Sequence, residues 1–125
     1  MQDLTITLED KPGTFAHLAE TLGKAGINIE GVCGVQVAGQ GVLHLLVANA
    51  QTARDALGAA GIQCGPDREV EVVSMVDAPG ELGRHMRRIA EAGVNVDLGY
   101  LATNTRVVLG SPNMDGLRRA LHATS

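Results

Sequence analysis

Asp10-Lys-Pro-Gly13 and Asp77-Ala-Pro-Gly80 carry the same Asp-x-Pro-Gly signature, each between an alternating apolar run and a helical pattern. Across the 67 residues that separate Gly13 from Gly80, Phe15 also falls on Leu82, Leu22 on Ile89, Ala25-Gly26 on Ala92-Gly93 and Ile27-Asn28-Ile29 on Val94-Asn95-Val96. A match held at one offset over so many positions marks a duplicated unit. Half of this chain, about 60 residues, is marginal as a folded body on its own. The two copies are therefore expected to share an interface or a sheet.

Within the first copy, Leu4, Ile6 and Leu8 alternate with Thr5 and Thr7 over residues 3–9, the period of a half-buried strand. Pro12 and Gly13 end it. From Thr14 the period changes to the helical stripe Phe15, Leu18, Leu22 and Ala25, with Gly26 where a left-handed cap belongs. Ile27 to Val37 then reads as a second strand, Ala38-Gly-Gln-Gly41 as a turn and Val42 to Ala48 as a third strand. Ala50 to Ala60 reads as a helix and Ile62 to Cys64 as a short closing strand. The order is βαββαβ. The second copy repeats it with a strand at Glu69–Val76, a helix at Gly80–Ala92, strands near Asn95–Leu101 and Arg106–Leu109, and a last helix opened by Ser111 as N-cap with Pro112 at its first position. Its fourth strand is missing. Gly65-Pro66-Asp67-Arg68 reads as a polar break, giving modules at 1–65 and 69–125 with 66–68 as linker.

A βαββαβ unit implies the ferredoxin-like split arrangement, an antiparallel sheet with helices on one face and the first and third strands central. Cys33 and Cys64 then lie on opposite edges of one sheet, too far apart to bridge. Without its fourth strand, the second copy leaves the edge of Glu69–Val76 open, with Val70, Val72 and Val73 inviting further pairing. The 125 residues are 45% hydrophobic but hold a single Phe and a single Tyr, so the core must come from Val, Ile, Leu, Ala and Met. Scarce aromatics and a net charge of −4 argue against nucleic-acid or membrane-surface binding. Arg84, Arg87 and Arg88, near Glu81 and Glu91, read as a solvated, salt-bridged helix face, and Arg118-Arg119 as cations complementing a helix dipole. No apolar run reaches membrane-span length and no signal peptide is visible, so a cytoplasmic address is expected.

A strand, then Asp-Lys-Pro-Gly-Thr-Phe, then a helix ending Ala-Gly-Ile-Asn-Ile, resembles the ACT domain, a small regulatory module that binds amino acids. Both halves carry the resemblance, and the whole is similar to free-standing tandem ACT proteins with no attached enzyme. The resemblance implies two ferredoxin-like α+β modules paired side by side, ligand sites at the module interface, no cofactor and no chemistry. It places the first site at Asp10, Lys11, Pro12, Gly13, Thr14 and Phe15 with Asn28, Ile29 and Glu30. The second falls at Asp77, Ala78, Pro79, Gly80, Glu81 and Leu82 with Asn95, Val96 and Asp97.

The chemistry of those residues suits the task. A helix start offers unpaired N–H groups to a carboxylate, and Gly13 and Gly80 leave room for close approach. Asp10 or Asp77 either accepts from the ammonium or only caps the helix and braces the turn. Asn28 and Asn95 either bond a ligand or stabilise a turn. Phe15 and Leu82 fall in register with the apolar stripe and read as core. The loops differ, since Lys11 becomes Ala78 and Thr14 becomes Glu81, which makes the second more acidic.

Catalysis finds little support. His17, His44, His85 and His122 do not recur at the repeat offset, and none is spaced from another His or Cys as a metal ligand would be. No nucleophile elbow, Walker loop or dinucleotide fingerprint is present. The expected function is a non-catalytic sensor of a free amino acid, a homo-oligomer such as a dimer, reporting to a regulated enzyme or regulator. The alternative is a protein-interaction module working through its open strand edge without a small ligand.

Overall fold

The alternating runs become strands, and the stripes helices, because each finds an apolar surface to cover. The computed structural model describes residues 1–122, and backbone packing divides the chain into two units, Met1–Glu69 and Val70 onward.

The first unit runs β1 (Gln2–Glu9), α1 (Thr14–Lys24), β2 (Gly31–Val37), β3 (Gln40–Leu46), α2 (Ala50–Ala59) and β4 (Cys64–Glu69). Its strands pair antiparallel in the order β4-β1-β3-β2, so β1 and β3 are central as the topology requires. The register sets Leu4 opposite Leu45 and Ile6 opposite Leu43. These four meet Leu18 and Leu22 of α1 and Ala53 and Leu57 of α2 in one buried cluster. Gly26 takes the expected left-handed backbone after α1, at φ +72°. Asn49, unremarked in the sequence, caps α2 by accepting from the Thr52 N–H at 3.0 Å.

The second unit runs β5 (Glu71–Ser74), α3 (Glu81–Glu91), β6 (Leu98–Ala102), β7 (Arg106–Gly110) and α4 (Met114–His122). Its strands pair antiparallel in the order β6-β7-β5. Ile89, Val94, Val107, Leu109, Leu117 and Ala120 form its core, with Met75, Met86 and Met114 packed around them.

Several expectations need correction. The supposed linker is strand: Gly65-Pro66-Asp67-Arg68 lies inside β4, which pairs with β1. Proline is tolerated on a terminal strand, where its missing N–H costs no ladder bond. A bulge between Leu4 and Ile6 brings Gly65 so close that a Cβ there would stand 2.9 Å from the Thr5 carbonyl oxygen. Arg54 of α2 fastens this strand, donating to the Gly65 carbonyl at 2.9 Å and pairing with the Asp67 carboxylate. β2 begins at Gly31 rather than Ile27, because residues 27–30 form the connection that climbs from α1 to the sheet. β5 is shorter than Glu69–Val76 but stands at the end of its strand order, and Val70 just before it is buried.

The last helix starts at Met114, later than Ser111 suggests. Asn113 is its cap, accepting from the Gly116 N–H at 3.0 Å, while the Ser111 hydroxyl accepts from Asn113 N–H. Arg118 serves an ion pair with Glu71 at 2.7 Å rather than the end of its own helix. Arg88 is not merely solvated, since it donates to the Ala120 and Leu121 carbonyls at the end of α4. Among the described residues no helix is long and apolar enough to cross a membrane.

Candidate functional site

Each Asp-x-Pro-Gly loop is built by the same backbone device. The Lys11 N–H donates to the Glu9 carbonyl at 3.0 Å, and the equivalent Ala78 N–H donates to Val76 at 2.9 Å. Gly13 at φ +93° and Gly80 at φ +88° then turn the chain into α1 and α3, a left-handed conformation that side chains resist. Nothing lies within 4 Å of where either Cβ would stand, so backbone angle rather than crowding demands glycine. Neither helix has a side-chain cap. The Glu81 N–H of α3 turns back to the Ala78 carbonyl at 3.3 Å, while the other first-turn N–H groups carry the positive end of each helix dipole.

The side chains then separate the two loops. In the first, Thr14 reaches backward, its hydroxyl donating to the Glu9 carbonyl at 2.8 Å or the Lys11 carbonyl at 3.2 Å and closing the loop. Lys11 pairs with Glu9 at 2.9 Å. Asp10 does not cap α1: it accepts from Gln36 Nε2 of β2 at 2.9 Å. In the second loop, Glu81 occupies the clasp position but turns forward to Arg84 at 2.6 Å, which neutralises the extra acidity its sequence suggests.

Two concavities flank the first loop. One, about 660 Å³, opens between Lys11–Thr14, His17 and the turn Gly61–Gln63. The other, about 290 Å³, lies on the opposite side, lined by Asp10, Thr14 and Phe15 with Gly34, Gln36 and Leu43. Phe15 is 45% exposed rather than core. It has the angular position of the stripe, but the first turn of α1 lies over β2 near Gly34, where there is no side chain to cover the ring. Leu82, likewise read as core, is 40% exposed at the mouth of a third hollow between α3 and β6. Asn28 and Asn95 are exposed and line none of these hollows, while Ile29 and Val96 pack against the cores of their units. Asp77, Ala78, Pro79 and Gly80 form an exposed turn.

Gln36, His17 and Gln63 were missed by sequence reasoning. Gln36 comes from the far end of a strand, and no local pattern announces which loop it meets. Elsewhere, Asp3 is fully buried on β1 and accepts from His44 Nδ1 at 2.9 Å and Thr5 Oγ1 at 3.3 Å. Both cysteines are free thiols. Burial pushes the Cys64 thiol above its ordinary range, with Arg54 pulling weakly the other way, so it stays protonated near neutrality. Among the described residues no group of His, Cys, Asp and Glu is arranged to hold a metal ion.

No family model matches the sequence, and no curated protein matches it. Solved structures do match. Protein BT0572 from Bacteroides thetaiotaomicron is 28% identical with a TM-score of 0.85, over 96% of this chain and 85% of that one. The regulatory subunit of aspartate kinase from Thermus thermophilus is 20% identical with a TM-score of 0.69, over 97% and 89%. Its counterpart from Thermus flavus is 19% identical at a TM-score of 0.64, over the same shares. The chain thus has an ACT-type α+β fold, matched along nearly its whole length.

Proposed function

We propose that the chain is a non-catalytic regulatory protein that binds a free amino acid at its Asp-x-Pro-Gly loops and reports it to a partner enzyme or regulator. One observation carries the reading: a left-handed glycine leads into a helix with an uncapped first turn, and the loop so formed stands between hollows of ligand size. An α-carboxylate complements the helix start, and Asp10 lies beside it as an acceptor for the ammonium. The same turn and uncapped helix recur at Gly80. The fold shared with regulatory subunits of aspartate kinase supports the regulatory role. In this reading the two units are tandem ACT modules, the chain works in the cytoplasm as a homodimer, and Asn28 and Asn95 contribute to the ligand sites.

A second reading has its own observation. β5 stands at the end of its strand order, and Val76 just beyond it is 65% exposed. A partner could add a strand there without any small ligand.

A thermal-shift screen against the twenty amino acids, followed by calorimetry, separates the two. Ligand at about a hundred times its dissociation constant stabilises by about 2.7 kcal/mol, a shift of several degrees. The sensor reading expects a selective shift that Gly13→Val or Asp10→Ala reduces. No shift with any amino acid overturns it in favour of the interaction module.

A further inference from the structure

The hollow in the second unit differs in kind from those beside the first loop. It holds about 290 Å³ between Leu82 and Met86 of α3 and Gly99 and Leu101 of β6, over Val107 and Leu109 of β7. The register sets Gly99 opposite Leu109 and Leu101 opposite Val107, so these four share one face of the sheet, with Val107 and Leu109 buried and Gly99 and Leu101 open to solvent. Among the described residues no charged side chain lines the hollow.

The first unit has a hollow of equal volume beside Phe15 and Gly34, but Glu9, Asp10, Lys11 and Gln36 line that one too, so the two differ in lining rather than in room. At the repeat offset Gly99 corresponds to Val32, whereas the first unit's glycine, Gly34, corresponds to Leu101. In the first unit the Phe15 ring lies against Gly34, within 4.0 Å of where its Cβ would be. In the second the glycine has moved two positions along the same face, and the smaller Leu82 replaces the ring. The hollow beside α3 is open at Gly99: a Cβ there would meet Leu109 Cδ2 at 3.6 Å and the Val108 carbonyl at 4.0 Å, ordinary contacts.

We infer that the second unit's site selects an amino acid with a branched aliphatic side chain, held in the cavity between α3 and β6. The inference rests on the amino-acid reading above and adds the ligand's class. Leu82 connects the cavity to the helix start, since it lines the one and belongs to the first turn of α3, without a side-chain cap, where a carboxylate would sit. The volume equals roughly ten waters, enough for a small amino acid. Tyr100 is the one polar residue among the described residues that line the cavity, so a polar side chain against these walls would trade part of its hydration for few partners. An aliphatic one would gain from every methylene buried.

The test uses the full chain with leucine, isoleucine and valine against alanine and serine by calorimetry. It also follows the methyl resonance of Met86, one of four methionines, in methyl-labelled protein. An aliphatic ligand at least tenfold tighter than alanine, a moved Met86 signal, and loss of both in Gly99→Val support the inference. Gly99→Ala, whose added carbon fits, should weaken binding without changing the fold. Tight binding of a polar amino acid that Gly99→Val leaves intact overturns the inference but not the sensor reading. If no amino acid binds while isoamyl alcohol moves Met86 in a Gly99-dependent way, the cavity is real and the amino-acid reading has failed. If neither moves Met86, both fall.

Discussion

The two units start from one plan and end differently. Both turn out of their first strand through a left-handed glycine into an uncapped helix, yet among the described residues the first has four strands and a core of leucines, while the second has three strands with methionines packed around a smaller core. The loop is fixed by backbone angles and survives wholesale change of side chains around it. What surrounds the loop is set by cross-strand neighbours and has diverged from a polar surround with an Asp10–Gln36 contact to an apolar cleft.

The largest effects should come from the cores. Leu57→Ala in the first unit is expected to cost about 4 kcal/mol, because a rigid leucine cluster cannot close over the void. Leu117→Ala should cost less, about 3 kcal/mol, since neighbouring methionine side chains can swing into the space. Urea denaturation of both variants checks the order. Equal costs would show that the methionine-rich core packs as rigidly as the leucine one.

Gly65→Ala probes a contact with no counterpart in the second unit. Its Cβ would press on the Thr5 backbone, so β4 must shift from β1, at a cost of about 1–3 kcal/mol. Faster amide exchange confined to β4 and the N-terminal half of β1 is the expected signature. Unchanged exchange would mean the bulge absorbs the methyl.

The smallest effect concerns Cys64. Because burial raises its value, the folded chain holds the thiol proton more tightly than the unfolded chain does. The contribution to stability is fully present below the ordinary thiol range and is lost as pH rises through the folded value. Cys64→Ala should therefore flatten the alkaline side of the stability profile relative to the parent chain. Identical slopes would show that the thiol titrates in the folded chain as it does in the unfolded one.

How much of this could be read in advance follows the same division. The duplication, the turns at Gly13 and Gly80, the cap at Gly26 and the helix stripes were legible because they are local, dictated by backbone angle and periodicity. β4 was not, since Gly65, Pro66 and Asp67 look like a break until β1 supplies the ladder and Arg54 the tether. Phe15 and Leu82 were misread for a related reason: the helical stripe gives the direction of a side chain, while the strand beneath decides whether anything covers it. The cavity at Gly99 required the register of β6 on β7, which no single segment encodes.

The Asp10–Gln36 hydrogen bond has a consequence for how such a sensor would respond. If Asp10 receives the ligand's ammonium, the Gln36 amide, bonded to Oδ2 at 2.9 Å, leaves the other carboxylate oxygen to accept. Gln36 then fixes the direction of that carboxylate before a ligand arrives, and binding at the first loop would forfeit less side-chain freedom than it would at a free aspartate.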